Sequence, residues 1–139
     1  MVRALARWIL ALALGSIGVI HFVSTRGFRV VVPDWATTLT RLDKDTIVIA
    51  SGAAEVALAA GLLALPHERR RMGIATAAFF IAVFPGNVHQ WHTHRSTPGL
   101  DTEARRFGRL FLQPLLVLWA LWSTAPTPVR AGRGRRRTR

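Results

Sequence analysis

Apolar residues run in four long stretches, at 4–23, 46–65, 72–91 and 107–125, separated by short segments of arginine, proline and acid. Each stretch is close to the roughly 20 residues that an α-helix needs to cross a bilayer core of about 30 Å. None alternates apolar and polar positions with the two-residue period of a barrel strand, so each would satisfy its backbone as a helix. The breakers fall between the stretches: Pro33 in the first connection, Pro66 after the second stretch, Pro126 and Pro128 after the fourth. The pattern predicts an all-α protein, an integral membrane four-helix bundle over residues 1–125, followed by a short tail at 126–139. Arg3 and Arg7 ahead of the first apolar run imitate a secretory leader. That run ends in His21-Phe22 with no small-x-small cleavage site, so it reads as a retained span.

Charge sharpens the picture. Half of the 139 residues are hydrophobic, yet 19 Lys+Arg face only 7 Asp+Glu, a net charge of +12. If the N-terminus is cytoplasmic, Arg3, Arg7, Arg69, Arg70, Arg71 and the tail arginines lie inside. Arg26, Arg29, Arg41, Lys44, Arg95, Arg105, Arg106 and Arg109 then lie outside. The inner set is the larger, and the tight PHERRR turn at 66–71 is the best single marker. The positive-inside rule therefore places both termini in the cytoplasm of a multi-pass protein of the plasma (inner) membrane. Trp8 and Trp122 would anchor at the inner interface and Trp35 and Trp91 at the outer one, with Trp119 deeper, between helices.

The second stretch carries Glu55 near its midpoint. At 1.5 Å per residue, Ser51 lies about 7 Å and Glu55 about 13 Å below the outer edge, and their i, i+4 spacing puts both on one face. A charged side chain at the middle of a bilayer costs roughly 2.5–3.5 kcal/mol on the lenient insertion scale, so Glu55 should face the bundle interior. His21, Asn87 and Gln113 bring polar groups to similar depths. Pro85 and Pro114 free the carbonyls of Ile81 and Leu110, which lipid does not tolerate unless protein or a wet cavity meets them. The expectation is a polar pocket in the outer half, lined by His21, Ser51, Glu55, Asn87 and Gln113 and capped by Arg109, binding a ligand or a partner. The plainer alternative is that these residues hydrogen-bond the helices together. Gly15, Gly18, Gly52, Ala59 and Gly61 read as packing contacts.

Other chemistry is thin. The chain has no cysteine, which excludes disulfides, thiolate metal sites and thiol nucleophiles. His89, His92 and His94 cluster where the third span meets water and read as interfacial residues, with no metal. No phosphate loop, HExxH or Ser/His/Asp arrangement is present, so no catalytic residue is identified. Arg130, Arg133, Arg135, Arg136, Arg137 and Arg139 make a Gly-spaced tail that should be disordered and touch anionic lipid at the membrane surface. Charge without a stacking platform gives no case for nucleic acid.

In order along the chain, GVIHF (18–22), Pro33, SGAAEVALAAGLLAL (51–65), PHERRR (66–71), AVFPGN (82–87) and RLFLQPLLVLWALW (109–122) resemble the DoxX-like small membrane proteins over nearly the whole length except the tail. The resemblance implies a four-helix membrane bundle, a site at His21, Ser51, Glu55, Asn87, Arg109 and Gln113, and association with membrane redox complexes. The leading expectation is a non-catalytic accessory or assembly partner of another membrane protein or redox-linked complex, with homo-oligomerisation left open. The alternative is a quinone- or small-molecule-binding oxidoreductase subunit, in which His21 and Glu55 handle protons and a ring stacks among Phe79, Phe80, Phe84 and Phe111. No cofactor is evident; quinone is the one this alternative would require.

Overall fold

Each of the four apolar stretches becomes one long helix. A computed structural model describes residues 1–96 and 102–126 and contains no strand among them. The long helices are α1 (Val2–Val23), α4 (Lys44–Ala64), α5 (Arg69–His92) and α6 (Glu103–Thr124). Two short helices, α2 (Thr25–Phe28) and α3 (Asp34–Thr40), occupy the first connection, and 3-10 turns cover Arg29–Val31 and Pro66–Glu68. The tail at 127–139, with its expected disorder and its lipid-facing arginines, lies outside the described residues.

Local chemistry sets the boundaries. Asp43 caps α4 by accepting from the backbone N–H of Thr46 at 2.9 Å, which holds its carboxyl below the usual carboxylate range. Thr102 caps α6 by accepting from the N–H of Arg105. Pro66 starts the turn that reverses the chain between α4 and α5. The first connection is pinned by a two-pronged ion pair of Arg29 with Asp45 and by Lys44 to Asp34 at 2.7 Å, which lowers the Asp34 pKa.

The long helices run antiparallel to their neighbours, in the order α4–α1–α6–α5 around a ring that closes between α5 and α4. Their buried positions recur every three or four residues: Ala11, Leu14, Gly18 and His21 on α1, and Val48, Gly52, Glu55, Ala59 and Leu62 on α4. This is the spacing of a coiled-coil seam. Glycine is required where α1 crosses α4. A Cβ on Gly18 would lie 2.8 Å from the carbonyl oxygen of Gly52, and one on Gly52 would lie 2.7 Å from the His21 Cβ. The apolar centre is Leu10, Leu14, Leu62, Ala77, Phe80 and Ala120.

Among the described residues, three helices are long and apolar enough to cross a membrane: Val2–Val23, Lys44–Ala64 and the Pro66–His92 segment. α6 has the length, 22 residues, but falls short in composition, because Arg105, Arg106, Arg109 and Gln113 dilute its apolar content. Its side chains are nevertheless sorted. Arg106, Gln113, Ala120, Ser123 and Thr124 are buried, whereas Phe107, Phe111, Leu115, Leu118 and Trp122 are exposed along the opposite face.

Candidate functional site: a buried polar seam

Four of the six expected site residues are buried, and they meet in pairs. His21 comes from the last turn of α1 and Glu55 from the middle of α4; each is 7% exposed. They meet because Gly18 and Gly52 let the two backbones approach closely. The His21 Nδ1 lies 2.9 Å from the Ile17 carbonyl oxygen and 3.1 Å from Glu55 Oε2. Two oxygens at that distance require a proton on Nδ1, whose N–H donates to the Ile17 carbonyl with the carboxylate beside it. The N–H points along the carbonyl direction, which leaves Glu55 Oε2 short of a well-aligned hydrogen bond. Phe28 of α2 stacks on the imidazole with centroids 3.9 Å apart and 23° between planes. The Thr25 hydroxyl fastens α2 by donating to the His21 carbonyl at 2.8 Å.

The second pair joins α5 to α6. Asn87 Nδ2 donates to Gln113 Oε1 at 3.0 Å, and Gln113 Nε2 donates to the Phe80 carbonyl at 2.6 Å. Pro85 and Pro114 both lie inside these helices, so amides bridge the helices near their two prolines. One turn nearer the α5 C-terminus, Arg109 Nη1 donates to Gln90 Oε1 at 2.8 Å. Arg109 is half-buried.

The polar side chains therefore close on one another rather than lining an open pocket. Ser51 does not join them. It is half-buried beside the seam and has no hydrogen-bond partner among the described residues, because α4 turns Gly52 and Glu55, three apart, toward α1. The expected aromatic box does not assemble either. Phe80 is in the apolar centre, whereas Phe111 is exposed and packs edge-on against Phe107, centroids 5.1 Å apart. Among the described residues, five buried polar side chains were not expected from the sequence: Thr76, Gln90, Arg106, Ser123 and Thr124. Gln90 is 1% exposed and Arg106 is 7% exposed, with Arg106 donating to the Ser96 hydroxyl and to Glu103. The seven-residue step from Arg106 to Gln113 to Ala120, all buried, was the available signal.

Two concavities lie elsewhere. One, about 400 Å³, sits beside α3 and the end of α5, between Trp35, Phe84, Pro85, Val88, His89 and His92. The His89 Nε2 is buried there without a hydrogen-bond partner. The other, about 590 Å³, runs between α1 and α6 along Leu5, Ala6, Ile9, Leu115, Leu118 and Trp119. Trp119 closes its floor by donating from Nε1 to the Ala6 carbonyl at 3.1 Å, so this indole packs between helices. No group of three or more His, Asp or Glu side chains is placed to hold a metal among the described residues. His94 instead pairs with Glu103 at 2.9 Å.

With this geometry in place, the chain can be set against known proteins. It belongs to the family described as Domain of unknown function (DUF8561), which matches residues 10–124. No curated protein and no solved structure matches it.

Proposed function

For a chain of this family, we propose a four-span integral protein of the plasma (inner) membrane, both termini cytoplasmic, that serves as a non-catalytic accessory or assembly partner of a membrane complex. The observation that carries the proposal is the sorting of α6: arginine and glutamine turned inward, phenylalanine, leucine and tryptophan turned outward. A water-soluble bundle exposes the opposite set, and apolar residues spread over one helix face are what lipid or another membrane helix accepts. The distribution of basic residues supports the orientation. Arg3, Arg7, Arg69, Arg70 and Arg71 gather where α1 begins, α6 finishes and α4 turns into α5, with Glu68 beside them. At the opposite end, Arg29, Lys44 and Arg106 are held by Asp45, Asp34 and Glu103.

The accessory role rests on His21–Glu55 and Asn87–Gln113 finding their partners inside the bundle, where they fix helix register. The DoxX-like motif order supports a redox-linked complex as the partner. Purification in mild detergent from cells expressing the tagged chain tests this. A stoichiometric membrane protein should co-isolate, and its level should fall when the chain is deleted. A chain that isolates alone, with no protein depending on it, refutes the role. Carbonate extraction and reporter fusions at the connections test the four spans and their orientation.

A second reading, binding of a quinone or a similar planar carbonyl compound, draws on the Trp35–Phe84 concavity. There aromatic walls flank an imidazole nitrogen that lacks a partner. Organic extraction of the purified chain and of His89→Phe separates the two readings: quinone must be present in the first and lost in the second.

A further inference from the structure

The groove between α1 and α6 ends at the basic end of the bundle. We propose that it holds an acyl chain of one anionic phospholipid, whose phosphate is bound by Arg3. This deepens the membrane reading above and depends on it.

The groove walls are wholly apolar: Leu5 and Ile9 on one side, Leu115 and Leu118 on the other, with Leu118 62% exposed. Water is a poor occupant of such a trough, and a hydrocarbon chain is a good one. At its mouth, Arg3 stands over the Trp122 ring, 6.0 Å from the centroid. Its Nη1 donates to the carbonyls of Ala125 and Pro126, at 3.5 and 3.1 Å. Those contacts use one nitrogen and leave the rest of the guanidinium fork for phosphate oxygens. Arg7, one helical turn further, shares the α1 face of Leu10 and Leu14 and turns toward the bundle interior instead of the groove. Its Nε is buried without a hydrogen-bond partner among the described residues. Arg69 and Arg70 add charge of the same sign at this end.

The shape and charge select the lipid. A second copy of the chain docked by a two-fold axis would set Arg3 against its own equivalent, a like-charge contact. A zwitterionic lipid would bring a second cation to the arginines. A phosphatidylglycerol-type headgroup brings a negative charge alone.

The test uses the full-length chain in mild detergent, exchanged into mixtures of phosphatidylglycerol and phosphatidylcholine, with retained lipid counted by native mass spectrometry. One phosphatidylglycerol per chain should be retained in preference to phosphatidylcholine. Arg3→Gln should weaken that retention about fivefold, the effect of one basic residue at an anionic surface. Ala6→Phe, which fills the floor, should abolish it. Equal retention of both lipids, or full retention by Ala6→Phe, overturns the proposal. So does a dimer in the wild type that Ala6→Phe dissociates. A measurement without variants guards against misfolding: chain-brominated phosphatidylglycerol should quench tryptophan fluorescence more than brominated phosphatidylcholine, and equal quenching also overturns it. Release of the chain by alkaline carbonate would instead refute the membrane reading itself.

Discussion

The two halves of the bundle hold themselves together differently. α1 and α4 meet backbone to backbone at Gly18 and Gly52, and that closeness forces an imidazole against a carboxylate. α5 and α6 meet through neutral amides, Asn87 to Gln113, and through Arg109 to Gln90. Close packing and hydrogen bonding are the two ways helices associate when lipid removes the hydrophobic driving force, and each half emphasises one. The difference predicts that the first half is brittle and the second forgiving.

The largest expected effect comes from orphaning the acid. His21→Leu should destabilise the detergent-solubilised protein by about 3 kcal/mol in denaturant-induced unfolding, because a buried carboxylate loses its base. The double variant His21→Leu/Glu55→Leu should recover most of that loss. If the double variant is as unstable as the single, the pair is not what makes the first half brittle.

Next comes the glycine contact. Gly52→Ala should cost about 1–3 kcal/mol, since the new methyl meets the His21 Cβ and the Gly18 carbonyl and the helices must separate. A cost below thermal noise would mean that the two backbones are not in contact.

In the second half, Asn87→Ala should cost only about 1 kcal/mol, the ordinary scale of an interhelical hydrogen bond in a membrane protein. Gln113→Ala should cost more than Asn87→Ala, because Gln113 also serves the Phe80 carbonyl. The reverse order would break the proposed amide relay.

The smallest effect has the opposite sign. Gly108 on α6 has nothing within 4 Å of where a Cβ would stand. Gly108→Ala should therefore stabilise, by at most about 1 kcal/mol through helix propensity alone. A thermal melt comparing it with Gly52→Ala sets the two halves side by side.

The long helices were readable because continuous apolar length is itself the signal, and each forms within a few residues of the stretch that announced it. The helices of the first connection were not. Thr25–Phe28 and Asp34–Thr40 are too short to show a period, and they are held by tertiary contacts such as Phe28 on His21. Depth arithmetic brought Glu55 and His21 to attention but assigned Ser51 to the same face, since an i, i+4 step and an i, i+3 step differ by one helical position. The seam uses the second. Gln90 and Arg106 went unnoticed because they lie near the water-facing ends, where a polar side chain needs no special explanation. Their burial arises from the fold around them and leaves only a faint seven-residue echo in the sequence.

The first and last long helices share a seam, through Trp119 on Ala6 and Arg3 on the end of α6. During synthesis, α1 can pair with α4 and α4 with α5 as each emerges, but the two contacts of α6 form together at the close. Until then the Asn87 amide has no Gln113 to meet, and a nascent chain stalled before α6 is an open sheaf with an unsatisfied polar group at its side.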